Sequence, residues 1–417
     1  MTFIRAEDDN SGTRLKFMAH GILQYPFAEP TRLDVDPRYK DIRKQGVVRV
    51  QLPFGEPSWL ITSAADAKIA YDFRKFSRTE GLTHAIPGLH NTENIKISSL
   101  LLNMDPPEHT RIRQLAAGAF SPDRIKALGA WAQGMVDELL DAFERQGAGA
   151  DFIAMYAHKF PVLVLAGILG IPSDKAFEFK KWIDISSDAS STPEMKLDAR
   201  EKTLTFIRAL IAERREKSTD DLLSVLINAR DEGDKFEEDE LVSLAMALWH
   251  GGFKTTLWQL GTTVFTLMSH PELWRDIKQN PDNMNAALNE LWRWIPSFKP
   301  GRAFGFWAKE DVTFSNGQVV KKGDHVLIEF AIVNRDNDIW PDADTIDFHR
   351  VKPAQHFSFT GGAHACVGQH LARLQIRLTI ESLLRRFPNL ELAIPAEDVQ
   401  FDPDSFMRGI LHLPLKW

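Results

Sequence analysis

A chain of 417 residues with 44% hydrophobic and 26% charged side chains can bury a sizeable core, for which 27 Phe and 11 Trp supply bulky apolar surface. Its net charge of −7 gives no support for nucleic-acid binding. No linker, charge block or internal repeat divides it, so a single domain over 1–417 is expected.

In chain order, strand signals stand at 49–53 and 59–61, followed by 3.6-residue periodicity over 107–119, 124–143 and 154–169. Within the last of these begins the longest apolar run, Pro161 to Ile171, far short of the roughly 20 residues that span a bilayer. No signal-like segment opens the chain, and a cytoplasmic protein without membrane contact is expected. Helical periodicity resumes over 196–216, 237–268, 271–279 and 283–294; short strands are expected at 304–307 and 326–328, and a final helix at 367–387. The fold class is therefore mainly α with a small β region. A helix as long as 237–268 is expected to cross the core.

Cys366 is the only cysteine, which rules out an internal disulfide and leaves an apolar filler, a nucleophile or a metal thiolate. Its place at the start of the last predicted helix favours the thiolate, because the positive end of the helix dipole and unpaired N–H groups stabilise S⁻. Gly362 and Gly368 on either side let the backbone approach something large and flat. His364 and His370 leave open a small zinc site, His364-x-Cys366-x-x-x-His370, although such sites normally draw on a second ligand cluster.

The segment Phe359-x-x-Gly362-x-His364-x-Cys366-x-Gly368 resembles the haem-ligand loop of cytochrome P450. Gly368-Gln369-His370-Leu371-Ala372-Arg373 and the terminal Leu413-Pro414-Leu415-Lys416-Trp417 are similar to the soluble bacterial class I, camphor hydroxylase type. The resemblance implies a triangular helical prism with haem b between a long distal helix and the cysteine loop, Cys366 as axial iron ligand, and Phe359 and Gly368 against the cofactor. It also implies that His109, Arg113, Arg302 and His364 hold the haem propionates; two buried carboxylates need such partners.

Gly251-Gly252-Phe253-Lys254-Thr255 places two glycines inside the 237–268 helix, at about 1 kcal/mol each relative to alanine. Close helix packing alone would account for them; a phosphate loop would not, since no glycine precedes Lys254. The resemblance matches them to the distal Gly-Gly-x-acid-Thr motif and makes Thr255 the alcohol of a hydrogen-bond relay where oxygen binds. Lys254 departs from the motif by replacing the usual acid with an ammonium. Either it pairs with an acidic residue, for which the family alignment implies Asp188, or it snorkels to solvent. His250 lies near the same helical face as Thr255, and Ala247 extends that face; His250 is either a satisfied core residue or a substrate contact.

Glu290 and Arg293 stand one helical turn apart and can pair. With Arg350 they resemble the family's structural network. Ile97, Ala247, His250, Gly251, Phe298 and Met407 match pocket positions, so the expected substrate is a terpenoid or norisoprenoid such as an ionone-like ketone, with 78–101 and 183–195 as loops shaping the site. No reductase module is recognisable in the sequence. Electrons are expected from a 2Fe–2S ferredoxin with an NADH-dependent reductase, docking on Arg111, Arg373 and Arg377 unless these simply form a solvated face. The expected function is O₂-dependent hydroxylation; the alternatives are a peroxide-using or non-hydroxylating haem-thiolate enzyme and a nonenzymatic haem-thiolate sensor.

Overall fold

The computed structural model describes residues 22–27, 32–84, 87–88, 101–118, 120–187, 191–231, 237–301, 305–351, 355–403 and 405–417; Ile97, Asp188 and Arg302 lie outside them. Strands β1 (Leu23–Gln24), β2 (Val48–Gln51), β3 (Ser58–Ile61), β4 (Phe76–Ser77), β6 (Gly305–Ala308) and β9 (His325–Ile328) form one sheet in the order β1-β2-β3-β9-β6-β4. The four expected strands are its centre, shifted by a residue or two. A second sheet joins β5 (Ala150–Asp151), β10 (Glu391–Leu392) and β11 (Pro414–Lys416), and β7 (Val312–Thr313) pairs with β8 (Val319–Val320).

Helices make up most of the rest: α1 (Arg38–Gln45), α2 (Ala64–Ala70), α3 (Glu108–Ala117), α4 (Pro122–Ala127), α5 (Gly129–Gln146), α6 (Phe160–Leu169), α7 (Ser173–Ser187) and α8 (Pro193–Glu216) precede the centre of the fold. They are followed by α9 (Leu222–Asp231), α10 (Glu238–Gly252), α11 (Lys254–Ser269), α12 (Pro271–Gln279), α13 (Met284–Trp294), α14 (Phe330–Val333) and α15 (Gln369–Arg386). The 124–143 segment divides at Leu128 into α4 and α5, and 154–169 begins with a π turn, Ile153–Ala157, before α6. Residues 183–187, expected as loop, form the last turn of α7. Its Ala176, Phe179 and Ile183 are buried at helical spacing, so the signal was present in the sequence. Among the described residues no single helix is long and apolar enough to cross a membrane.

The long 237–268 helix is two helices. Every residue of α11 from Thr256 to Met268 is buried, as expected of an element crossing the core. The break falls at Phe253, itself 1% exposed. Thr255 Oγ1 donates to Gly251 O at 2.7 Å and Thr256 Oγ1 to Gly252 O at 3.1 Å. Such back-bonding competes for carbonyls that a continuous helix would use, and it bends helices.

Glu290 and Arg293 on α13 are 5% and 3% exposed. Arg293 pairs with both carboxylate oxygens at 2.6 and 2.8 Å, and Arg350 Nε adds a third contact at 2.8 Å. Arg293 also donates to the carbonyls of Asn334, Ala343 and Thr345. Burial pushes the Glu290 carboxyl up, but the two guanidiniums outweigh it and the net shift is downward. The stability that Glu290 contributes is thus present above the ordinary carboxylate range and is lost as pH falls through the depressed folded value. Removing one partner of a buried pair leaves an uncompensated charge, so Glu290→Ala is expected to lower unfolding free energy by about 3–5 kcal/mol. Urea titration at neutral pH checks this, and a loss below about 1 kcal/mol contradicts it.

Candidate active site

The cysteine loop is held by its own backbone and by its neighbours. Asn334 Oδ1 accepts from Phe357 N at 2.7 Å, Cys366 N donates to Phe359 O at 2.9 Å, and Thr360 Oγ1 donates to His364 O at 2.7 Å. Gly362 adopts φ +62° with its Cα edge 3.0 Å, measured from an ideal Cβ, from Tyr71 O, a place and conformation that suit glycine. Phe359 packs on Trp292 at 4.4 Å between ring centroids, and Arg373 lies 4.8 Å from its ring centre. Cys366 faces open space, yet protein surrounds it closely enough that desolvation pushes its thiol up, against a bond from the Gly368 amide and the charge of Arg113. It therefore lines a recess. The expectation that the helix terminus alone favours the thiolate is corrected: α15 begins at Gln369, three residues later, and burial wins.

Basic residues converge beside this sulfur. Arg113 Nη2 donates to Ala365 O, His364 Nε2 meets Met104 O at 3.0 Å, and the His109 and His364 rings are 4.1 Å apart. His109 is 1% exposed and neither ring nitrogen has a hydrogen-bond partner. Burial, then the charge of Arg113 and of Arg78, brings its pKa down to about 4; burial, then Arg78, brings His364 down to about 2. Arg78 was not singled out in the sequence. It is 4% exposed, stacks on Phe306 at 4.6 Å, and is tied by its backbone N–H to Asp105 at 2.8 Å. Its partners lie far away in sequence, and no motif announces it.

The zinc reading does not hold. His364 turns toward Met104 and His109, and among the described residues no group of three or more His, Cys, Asp or Glu side chains has the geometry of a metal site.

From Leu244 to Thr255 the incompletely buried positions besides Gly252 are Met246, Ala247, His250, Gly251, Lys254 and Thr255. Their spacing of three and four marks one helical face. The two glycines separate in role. A Cβ on Gly252 would lie 2.9 Å from Leu165 Cδ2 of α6, whereas one on Gly251 would meet nothing within 4 Å. Close packing therefore explains Gly252, and Gly251 fronts open space. His250 Nδ1 lies 3.3 Å from Met246 O, and its pKa is lowered mainly by burial. Lys254 Nζ reaches Asp184 of α7 at 3.8 Å, and Lys180 holds the same carboxylate at 2.5 Å. Lys254 is thus not simply solvent-bound: it has an acidic partner on α7, one helical turn before Asp188, which lies outside the described residues.

Phe298 and Met407 pair across a backbone bridge and pack with Leu257 and Trp258, the residues that follow Thr255 on α11. The same α11 packs on α15, the helix after Cys366. The proposed docking arginines are all engaged: Arg111 with Glu240 at 2.5 Å, Arg377 with Glu381 at 2.7 Å, and Arg373, half-buried, with Asn289, His356 and the Phe359 ring.

These features agree with the comparisons with known proteins. The cytochrome P450 family model matches residues 194–411, and the chain belongs to this family of haem b monooxygenases. Among its relatives, the mycinamicin IV hydroxylase/epoxidase of Micromonospora griseorubida is 37% identical over 395 residues, covering 94% of this chain and 98% of that one. The nocardicin C N-oxygenase of Nocardia uniformis subsp. tsuyamanensis is 35% identical, with the same coverage of both. A solved structure of a mutant of the mixed-function P450 MycG in complex with mycinamicin IV superposes with a TM-score of 0.87 at 36% identity, over 94% of this chain and 99% of that chain. These biosynthetic relatives correct the expectation of a camphor hydroxylase type.

The geometry fits the family's cofactor. An open thiol lies beside buried, unpartnered imidazole nitrogens and an arginine, which is a donor set for a thiolate-ligated iron carrying two carboxylates. For the distal glycines, Gly251→Ala is expected to stabilise by up to about 1 kcal/mol through helix propensity. Gly252→Ala is expected to lose about 1–3 kcal/mol to overpacking. Equal effects in urea unfolding would contradict the division of roles.

Proposed function

We propose that the chain is a haem-thiolate monooxygenase that hydroxylates or epoxidises a natural-product intermediate, with Cys366 as the iron ligand. The observation that carries the reading is the open Cys366 beside buried His109, whose ring nitrogens lack a protein partner. When bound, haem supplies the oxygen chemistry: one atom of O₂ enters the substrate and the other leaves as water, consuming two electrons and two protons.

The chain's own groups hold, orient and deliver. With haem bound, Arg113 and Arg302 would supply positive charge to the propionates and the neutral His109 and His364 would offer ring N–H groups, while Phe359 and Gly368 flank the sulfur. Thr255 Oγ1 donates to Gly251 O and can still accept a hydrogen bond from the open side. Lys254, paired with Asp184, carries the charge opposite to the family's usual acid. Ala247, His250, Phe298 and Met407 are assigned to the substrate wall. If the neutral His250 donates from Nδ1 to Met246 O, its Nε2 is an acceptor. An acceptor suits a hydroxyl on the substrate and not a ketone oxygen. This, with relatives acting on mycinamicin IV and nocardicin C, favours a hydroxylated natural product over the ionone-like ketone. A separate 2Fe–2S ferredoxin with its NADH-dependent reductase is assigned as electron source. Lys254 favours one second reading, a peroxide-using or non-hydroxylating enzyme, against which Thr255 weighs.

The reduced, carbon-monoxide-bound protein is expected to show the red-shifted Soret band of a thiolate-ligated haem, and Cys366→His is expected to abolish it; a band unchanged by the substitution sinks the assignment. With ferredoxin, reductase and a panel of macrolide-type and terpenoid compounds, Thr255→Val is expected to lower product formed per NADH by about 100-fold, the usual worth of a positioned proton-transfer group. Unchanged coupling, or equal turnover driven by peroxide alone, supports the second reading.

A further inference from the structure

Glu329 ends the apolar run of β9 and is 1% exposed, in a place where a carboxyl requires partners. Tyr25 Oη donates to it, and Tyr25 Oη in turn accepts from Gly301 N at 3.1 Å. The buried Arg408, Tyr39 and Tyr25 surround the carboxyl, and its attraction to Arg408 and its hydrogen bond with Tyr25 partly offset a rise in pKa caused by burial. Arg408 anchors to the backbone elsewhere, donating from Nη1 to Arg32 O at 2.9 Å and Asp34 O at 2.6 Å.

Around Glu329, the Gly301 amide that Tyr25 accepts from follows one of the two segments that build one wall of the proposed pocket, and Arg408 lies in the other. Arg408 N donates to Ser297 O at 3.0 Å and Lys299 N to Phe406 O at 3.1 Å, so 297–299 and 406–408 run as a short antiparallel pair with Phe298 opposite Met407. Phe298 also packs on Phe330, the residue after Glu329, at 6.2 Å between ring centroids. On the far side both Phe298 and Met407 meet Leu257 and Trp258 of α11. Gly409 lets the segment lie close, since a Cβ there would come within 2.6 Å of the Trp258 ring. Among the described residues none of the strands β1–β11 pairs with 297–299 or 406–408, and Gly301 lies at one end of the pair.

We infer that Glu329 is a positioning residue for substrate selectivity: through Tyr25 it holds the turn at Gly301, just past the 297–299 segment, so that Phe298 stays fixed opposite Met407 in the wall. The inference rests on the proposed reading of Phe298 and Met407 as pocket residues. A side chain that acts only through others moves the energies of ligands that touch that wall and spares those that do not.

The test uses the haem-loaded enzyme and two iron-binding probes, imidazole and 4-phenylimidazole, titrated by their Soret shifts. On the proposed pocket reading, the phenyl group would touch this wall and imidazole would not. Glu329→Ala is expected to weaken 4-phenylimidazole about tenfold and imidazole less than about twofold, with Glu329→Gln recovering most of the difference. In a Met407→Ala background the effect of Glu329→Ala on discrimination is expected to shrink to less than about twofold. Tyr25→Phe, which removes the hydroxyl and keeps the ring, serves if Glu329→Ala does not fold, and is expected to act in the same direction by about threefold. Equal weakening of both probes, or a full Glu329 effect that persists without Met407, overturns the positioning role. If Met407→Ala itself leaves discrimination unchanged, the pocket reading falls first, and this inference with it.

Discussion

A carboxylate in a protein interior persists only if every lone pair and the charge itself are answered, and Glu290 is answered by two arginines and the Asp347 amide. What makes this constraint central is where Arg293 spends its remaining donors. One of them fixes the carbonyl of Asn334, whose side chain then takes Phe357 N and donates to Ser358 Oγ at 2.9 Å. Ser358 closes the circuit on Trp292 O at 2.6 Å, back on the helix that carries Glu290. The loop leading to Cys366 thus starts from a point fixed by a buried ionic network, and Phe359, sandwiched near Trp292 and Arg373, extends that rigidity toward the sulfur.

The opposite wall is built on another principle. Instead of a charge network, α10 and α11 use a bend, in which two threonine hydroxyls take the carbonyls of two glycines. Buried residues run without interruption from Thr256 to Met268, so α11 is clamped by packing along its length. The cysteine loop is thus held by ions and hydrogen bonds, and the helices opposite it by packing and a bend.

How much of this was legible depends on how far apart the interacting residues are in sequence. The cysteine loop, Glu290 with Arg293, and His109 with Arg113 lie within a few residues of each other, and the chemistry restricts the types allowed, so the pattern is readable. Arg78 is brought to His109 and His364 by the sheet and by Asp105, contacts that no local window contains. Asp184 as a partner of Lys254 was not singled out; it lies one helical turn before Asp188, and residues four apart share a helical face that an alignment alone does not resolve. Of the arginines considered for docking, Arg377 has a readable i,i+4 partner in Glu381, whereas Glu240 at Arg111 and the Phe359 ring at Arg373 are brought in from elsewhere in the chain. Glu329 left a trace, a single acid ending an apolar run, which the periodicity argument passed over because its partners come from both ends of the chain.

Cys366 combines an open side chain with a thiol that burial pushes up. The Gly368 amide and the charge of Arg113 act against that rise, so a positive charge bound in the recess would complete what these two groups begin, and the cost of forming the thiolate would be shared between protein and ligand.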